Sequence, residues 1–555
     1  MIEVLQKELE KIRKDVWSNE KDEDLTFTVN LLIASNDEDV NATSKAVLIK
    51  INNKKEGNTL SVTKITYLSA ARDVVFKDYP VEEPKIVAVL PAHNEEKDIG
   101  NTLRSLALQA LPKGVRLHVY IALDNCTDHT GKVIREVNKE LGLTIFLLET
   151  VNNQERKVGA LNQIYQLFYG NLTHLRSKEV GPNQSLYASS IEAFLGIDAD
   201  VYLEKGCLLT LWEELHQTHY IGSVSANYTC LIPLNRKEIA EEGLPAERGS
   251  FLNRWWASQQ IRDFADWTMR QKQNGHQAEI AGGQCTLFRP SALLDVRESY
   301  KLNGFYDNKT DTEDLLLTQY IRACGWKAMV SGSARCYVDS MNTYPTYFAQ
   351  RKKWVSGTTD YMMMDGLRTK YARQLWAQEL GLFLNLFIRI LLVLLVTISI
   401  TLDSFEWNWI WLFPFVLSSV LNTLLTLRSP SYRWYDFVLC FLGINPEIYL
   451  WITLRIHLSV WVSKFKVTKV DGWANQYSAE RGENGNSRLA TPLILLALVS
   501  LVFYILRDKL MLTEGLRQLG RSFIMVGYPF LSVLTILMSL VVLRKIVLLR
   551  YPHQP

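Results

Sequence analysis

Three patterns of apolar and polar positions follow one another along the 555 residues. Residues 2–17 place Ile2, Leu5, Leu9, Ile12 and Val16 at a helical period. Between Leu25 and Tyr67, short β-rich runs (FTVNLLIA, KAVLIKI, LSVTKITYL) alternate with the polar turns SNDED and NNKKEGN. Residues 1–82 therefore predict a small α+β accessory module. Near Lys85 the pattern changes to apolar strands followed by amphipathic helices. KIVAVLP, VRLHVYIALD and LTIFLLET read as strands, and the segments after them, EEKDIGNTLRSLALQAL, the stretch from Asp128 to Gly142, and VGALNQIYQLFYGNL, as helices. Strands without polar alternation, separated by helices, predict an α/β domain whose sheet is covered on both faces. This domain is expected over 83–370.

From residue 371 to 555 the chain reads as a helical membrane domain. Candidate spans lie at 381–402, 409–427, 489–506 and 522–543, each near the ~20 residues needed to cross a bilayer. A further apolar stretch, 437–463, is broken by Asn445-Pro446-Glu447 and carries Arg455 and His457. The positive-inside rule is best met if that stretch lies at the interface or re-enters, giving four spans and one such segment. Arg389, eight residues into the first span, is expected to snorkel toward the headgroups or to line a polar path.

Composition sharpens this division. Hydrophobic residues make up 48% and charged residues 21%, which excludes a disordered chain. The net charge of +3 hides a split: 17 Lys and Arg stand against 10 Asp and Glu from Tyr371 onward, and 44 against 48 before it. The basic excess flanks apolar runs, so a bilayer is the expected partner and nucleic acid is not. Seven cysteines without a CxxC pattern predict reduced thiols, and a charged N-terminus without an apolar core predicts no signal peptide. Reduced thiols lead to the expectation that the α/β domain faces the cytosol.

Chemistry is expected where strands end, because open α/β sheets bind ligands there. HNEE follows the first strand, DNCTD the second, and DAD follows AFLGI. Asp198 and Asp200, two residues apart at a strand end, would face one side and suit Mg²⁺ or Mn²⁺ holding a diphosphate; a solvated turn is the plainer reading. Thr312-Glu313-Asp314 opens a helical pattern, either as an N-cap with an acidic first turn or with Asp314 as a general base. Gln350-Arg351-Lys352-Lys353-Trp354 reads either as a headgroup anchor or as a platform, with the Trp354 indole stacking on a sugar ring. Lys157, between a strand and a helix, is either a solvated cap or a phosphate partner. No Walker A motif is present: the Gly131-Lys132 pair has Cys126 where the first glycine belongs.

PAHNEE, ALDNCTD, RKVGALN, DAD, AGGQC, TED and QRKKW occur in this order across residues 85–357, with apolar helices after them. The set resembles the family 2 inverting glycosyltransferases, in particular the membrane-integrated cellulose, hyaluronan and β-glucan synthases. The resemblance implies a GT-A type fold, a UDP-sugar donor (UDP-glucose foremost), a glycan acceptor and Mg²⁺ or Mn²⁺. It implies that Ala92, His93, Glu95 and Asp124 bind the nucleoside, that Lys157 serves the donor, and that Asp198 and Asp200 serve the metal and diphosphate. Gly283 would flank the acceptor, Glu313 would contact substrate and Asp314 would be the base. Gln350, Lys353 and Trp354 would match the QxxRW motif, with lysine replacing its arginine; the charge stays and the planar fork goes. The implied reaction is inverting transfer to a growing β-linked polysaccharide, with single-sugar transfer to a lipid or protein as the alternative. A nucleotide-sensing membrane protein without catalysis is the remote one.

Overall fold

The computed structural model describes residues 84–151, 153–169, 191–231, 250–428, 434–465, 478 and 513–548, with the strands at 44–47, 51–52 and 61–68. The expected helix over 2–17, the first β-rich run and the span over 489–506 lie outside the described residues. The chain divides into two compact units, residues 1–96 with 116–191, and residues 97–115 with 192–555.

In the first unit β1 (Ser44–Val47) and β2 (Ile51–Asn52) each pair antiparallel with β3 (Ser61–Leu68). β4 (Lys85–Ala92) is followed by α1 (Ile99–Ala107), which belongs to the second unit. Next come β5 (Arg116–Leu123), α2 (Thr130–Leu141), β6 (Thr144–Val151) and α3 (Arg156–Tyr169). β4, β5 and β6 run parallel, and β3 closes against β6 antiparallel. Ile86 to Leu90 are all fully buried, so β4 is covered on both faces, as its unbroken apolar run requires.

That sheet also buries a titratable group. His118 on β5 is 9% exposed. Burial, then the charges of Lys85 and Arg116, pull its pKa down to about 3. Its folded pKa lies below its unfolded value, so the stability it contributes is complete above pH 6.5 and is lost as pH falls toward 3. Over that window the wild type should lose on the order of 4–5 kcal/mol more than a His118→Phe variant. Thermal unfolding of both proteins in detergent between pH 7 and pH 3.5 measures it; parallel curves would refute it.

The second unit holds a mixed sheet, β7 (Ile191–Gly196), β10 (Thr286–Phe288), β9 (Ile221–Cys230), β11 (Lys327–Val338) and β8 (Tyr202–Leu203), in that order. β10 is antiparallel to both neighbours, and β11 is parallel to β9. Around it lie α4 (Cys207–His216), α5 (Phe251–Gln273), α6 (Pro290–Tyr300), α7 (Glu313–Ala323) and α8 (Tyr344–Asp365). The fold is thus the expected α/β type with a parallel and mixed sheet, followed by helices.

Among the described residues, three helical stretches are long and apolar enough to cross a membrane: α9 (Lys370–Thr401), the stretch 409–427 containing α10 (Phe413–Arg428), and α13 (Glu514–Leu548). α11 (Trp434–Phe441) and α12 (Ile444–Phe465), in the stretch expected to lie at the interface or re-enter, form a pair bent by 75°. The two parts of this unit share a core. Leu315 and Leu316 of α7 pack with Tyr361 and Met362 of α8 and with Tyr371, Ala372 and Leu375 of α9.

Arg389 has partners within the helices. Its guanidinium forks onto Glu447 of α12 at 3.0 and 2.9 Å and also reaches Asn385. One helical stretch away, Glu379 of α9 accepts from His457 Nδ1 at 2.8 Å and from Trp461 Nε1 at 2.6 Å. Apolar surroundings make a bidentate pair preferable to a lone charge, and the break at Asn445-Pro446 presents the carboxylate. Arg389→Leu should therefore destabilise the protein by about 1–3 kcal/mol, because it leaves the half-buried Glu447 without its cation. Arg389→Leu with Glu447→Leu should recover most of that loss in detergent melting curves; additive losses would show that the pair is not the cause.

Candidate active site

In the first unit, three polar loops leave the carboxyl ends of β4, β5 and β6. Each holds a non-glycine residue in the left-handed region: Asn94 at φ 59°, Asn125 at 49° and Arg156 at 55°. Asparagine tolerates that conformation, whereas arginine there is strained. The loops are stitched together. Asn94 Oδ1 accepts from the Thr127 amide at 2.7 Å, the Glu95 amide donates to Thr130 Oγ1 at 2.8 Å, and His93 Nδ1 donates to the Asp124 carbonyl at 2.6 Å. Ala92 is buried at the end of β4.

Asp124 is the centre of this cluster and is 6% exposed. Its Oδ1 accepts from Thr150 Oγ1 at 2.7 Å, Asn153 Nδ2 at 2.9 Å and Asn125 Nδ2 at 3.0 Å. Three donors on one oxygen hold the carboxylate rigid, as a buried charge requires. Asn153 also turns the chain into α3, donating to the Arg156 carbonyl at 2.7 Å and accepting from the Glu155 amide at 3.0 Å. Lys157 thereby sits in the first turn of α3, where helix amides and a cation favour an anion.

In the second unit, β7 ends at Gly196, so Asp198 and Asp200 lie in a turn beyond the strand. The i, i+2 alternation of a strand is therefore not what aligns them. Ala199 between them is buried and its carbonyl accepts from Thr102 Oγ1 of α1 at 2.6 Å, leaving both carboxylates half-buried on either side. Tyr202 ties this turn to α1 by donating to Asp98 Oδ1 at 3.1 Å. Burial first, then the carboxylates of Asp339, Asp98 and Asp200, push the Tyr202 hydroxyl pKa far up, so it stays a proton donor. Among the described residues no three His, Cys, Asp or Glu groups form a complete metal cage. Two carboxylates fit Mg²⁺ or Mn²⁺ only when phosphate oxygens and water complete the shell, the habit of Mg²⁺ in nucleotide sites.

The same unit brings three of the motifs together. Asp314 stands in the first turn of α7, with Oδ1 accepting from the Leu315 amide at 2.8 Å. A methyl group on Gly282 would come within 3.7 Å of Asp314 Oδ2, so the AGGQC loop, with Gly283, borders that carboxylate. The Ala281 amide donates to Thr318 Oγ1 at 2.7 Å, fixing the loop to α7. α8 closes in from another side: a methyl group on Gly357 would overlap Thr312, 2.6 Å from Cγ2. Only glycine lets α8 pack this tightly on the threonine before Glu313, which is buried. Gln350, Lys353 and Gly357 share one stripe of α8 by helical spacing. Lys353 is 6% exposed. The buried Oε1 of the Gln350 amide has no hydrogen-bond partner among the described residues, and such an acceptor fits a polar ligand.

The second stripe of α8 carries Arg351 and Trp354. The guanidinium missing at Lys353 is present at Arg351, whose Nη2 lies 3.0 Å from Asp263 Oδ2. Tyr228 on β9 joins these groups. Burial raises its hydroxyl pKa, Arg351 opposes the rise and Asp314 adds to it, so both charges reach the ring. The sequence does not single out Asn153, Tyr202, Tyr228 or Gly357, and it shows Arg351 only as one member of a basic cluster. Gly357, seven residues after Gln350, carried the one legible signal, a glycine inside a helical pattern.

Residues 84–357 match the family model described as glycosyltransferase like family 2. A curated relative, the poly-beta-1,6-N-acetyl-D-glucosamine synthase of Staphylococcus epidermidis, is 21% identical over 302 residues, 54% of this chain and 60% of the relative. The Staphylococcus aureus (strain COL) protein of the same name is 21% identical over 285 residues, covering 51% and 57%. The chain thus matches somewhat over half the length of these relatives. Among solved structures, a mannosyltransferase from Pyrobaculum calidifontis, in complex with GDP-Man and Mn2+, aligns with a TM-score of 0.32 at 14% identity, covering 76% of this chain and 87% of that one. TarS 1–349 of S. aureus in complex with UDP gives 0.31 at 14%, covering 70% and 95%. Neither superposes closely enough to bear on chemistry.

Proposed function

We propose, from the premise that residues 84–357 belong to the glycosyltransferase-like family 2, that this chain is a membrane-bound inverting glycosyltransferase that extends a β-linked polysaccharide from a UDP-sugar. The observation that carries the reading is the convergence of Asp314, the Gly282–Gly283 loop and the Gln350–Gly357 stripe, directly before a helix long enough to span a membrane. UDP-glucose suits the synthase resemblance. The curated relatives are named for a polymer of N-acetylglucosamine, which makes UDP-N-acetylglucosamine the second donor in the test.

Each residue has a part in the reading. Asp124, held by three donors, and the His93–Glu95 loop bind the nucleoside. Lys157 at the start of α3 meets the diphosphate. Asp198 and Asp200 would hold Mg²⁺ or Mn²⁺, which when bound supplies positive charge to the departing UDP. Asp314 takes the proton from the acceptor hydroxyl as that oxygen attacks the anomeric carbon, and Glu313 contacts substrate beside it. Attack opposite the leaving group turns an α-linked donor into a β-linked product. Gln350 and Lys353 supply polar contacts beside the base, and Trp354 stacks on the acceptor ring. The α/β domain faces the cytosol, where UDP-sugars are, and the apolar helices carry the product away from it.

The test uses the full chain in detergent with Mn²⁺ or Mg²⁺ and a panel of UDP-sugars, reading UDP release and digesting the product with linkage-specific hydrolases. A polymer cut by a β-specific enzyme is the expected result. A single-sugar product would move the reading to a lipid or protein acceptor, and no UDP release from any donor would overturn it.

A further inference from the structure

Tyr347, Arg351 and Trp354 stand at i, i+4 and i+7 on α8, one stripe of the helix. Arg351 is 7% exposed, with its guanidinium 3.0 Å from Asp263 Oδ2. Its Cζ lies 4.2 Å from the Trp354 ring centroid, 5.0 Å from that of Phe264 and 5.1 Å from that of Tyr347. One carboxylate and three rings therefore surround a single cation. Asp263 and Phe264 come from α5, so the cation ties the two helices together. Burial works against its charge, but Tyr347 and Asp263 raise its pKa above the usual arginine value. It remains a guanidinium.

Such a cation does two things that a methyl or ammonium group does not. Its delocalised plane lies against an aromatic face while an edge nitrogen, Nη2, still contacts a carboxylate. The Trp354 indole is half-buried, packing with Cys230, Ile261 and Phe264, and Phe264 meets it at 6.3 Å with a 44° tilt. No hydrogen bond to the indole nitrogen is needed to hold this ring. The guanidinium and Phe264 hold it instead.

We propose that Arg351 is a positioning residue that fixes the plane of Trp354 as an acceptor platform, with Asp263 orienting Arg351 in turn. The proposal rests on the reading that Trp354 meets the acceptor sugar. Stacking is sensitive to ring tilt, so a loosened indole weakens acceptor binding more than the chemical step or the nucleotide site.

The experiment compares Arg351→Lys, Trp354→Ala and the double variant in the full-length protein, with UDP-N-acetylglucosamine as donor and tri-N-acetylglucosamine as acceptor probe, repeated with UDP-glucose and cellotriose. Arg351→Lys should raise the acceptor KM by roughly tenfold with a smaller change in kcat, while UDP affinity by calorimetry stays within about twofold. The double variant should be no worse than Trp354→Ala alone, because Arg351 acts through that ring. Additive losses, an unchanged acceptor KM, or a parallel fall in UDP affinity would overturn the proposal. A second arm does not depend on catalysis. The near-ultraviolet circular dichroism difference between wild type and Arg351→Lys should vanish on a Trp354→Phe background, and a difference that persists there would overturn it as well. If no donor yields UDP, the functional reading fails, and this spectroscopic arm still decides whether Arg351 sets the ring.

Discussion

Asp314→Asn is expected to lower glycosyl transfer by roughly 10³–10⁴-fold, the range for loss of a positioned general base. UDP affinity should stay within about threefold. The two effects separate because the Asp314 carboxylate borders the Gly282–Gly283 loop and its other oxygen is engaged by the Leu315 amide at 2.8 Å. Asparagine keeps that acceptor and the shape of the side chain, so α7 has no reason to unwind. It cannot take a proton. Calorimetry with UDP and a melting curve accompany the rate measurement. A loss of UDP affinity beyond about tenfold would assign Asp314 to the nucleotide site, and a large drop in melting temperature would assign it to the fold.

Asp200→Asn should reduce transfer by roughly 10³-fold, comparable to removing a preorganised group that stabilises developing charge. It should also weaken binding of Mn²⁺ in the presence of UDP, which paramagnetic resonance of the free ion reads directly. The turn itself is anchored elsewhere, by the Thr102 bond to the Ala199 carbonyl and the Tyr202 bond to Asp98. The substitution therefore leaves the backbone in place. Wild-type activity with an unchanged divalent-ion requirement would refute the assignment of this carboxylate to the metal.

The parts of the fold that the sequence discloses are those built by long, unmixed patterns. β4, β5 and β6 are predominantly apolar runs, and the first membrane-length helix is a long apolar run interrupted within its span by Asn385 and Arg389, so each is visible from the pattern alone. β10 is three residues and β8 two, too short for any periodicity, and the antiparallel insertion between β7 and β9 followed from neither. The DAD pair was visible as chemistry but its backbone was not: the strand ends at Gly196, and a bond from α1, about a hundred residues earlier, fixes the turn. Arg389 was visible as an anomaly, while its partner Glu447 was hidden in the break of another helix. The same holds for Arg351. It read as one of three basic residues in a row, and only its contacts with Asp263 and the rings distinguish it from Lys352.

The apolar cluster that joins α7, α8 and α9 has a practical consequence. Division of this chain at the sequence boundary near residue 370 would cut through a core. A fragment ending there would expose Leu315, Leu316, Tyr361 and Met362, which rest on Tyr371, Ala372 and Leu375, and would aggregate or lose the pose of the helix that begins at Glu313. Bilayer thickness acts on the same contact, because a helix of 32 residues answers a thinner membrane by tilting. Tilt of α9 would move the floor under Asp314, so turnover should depend on acyl-chain length.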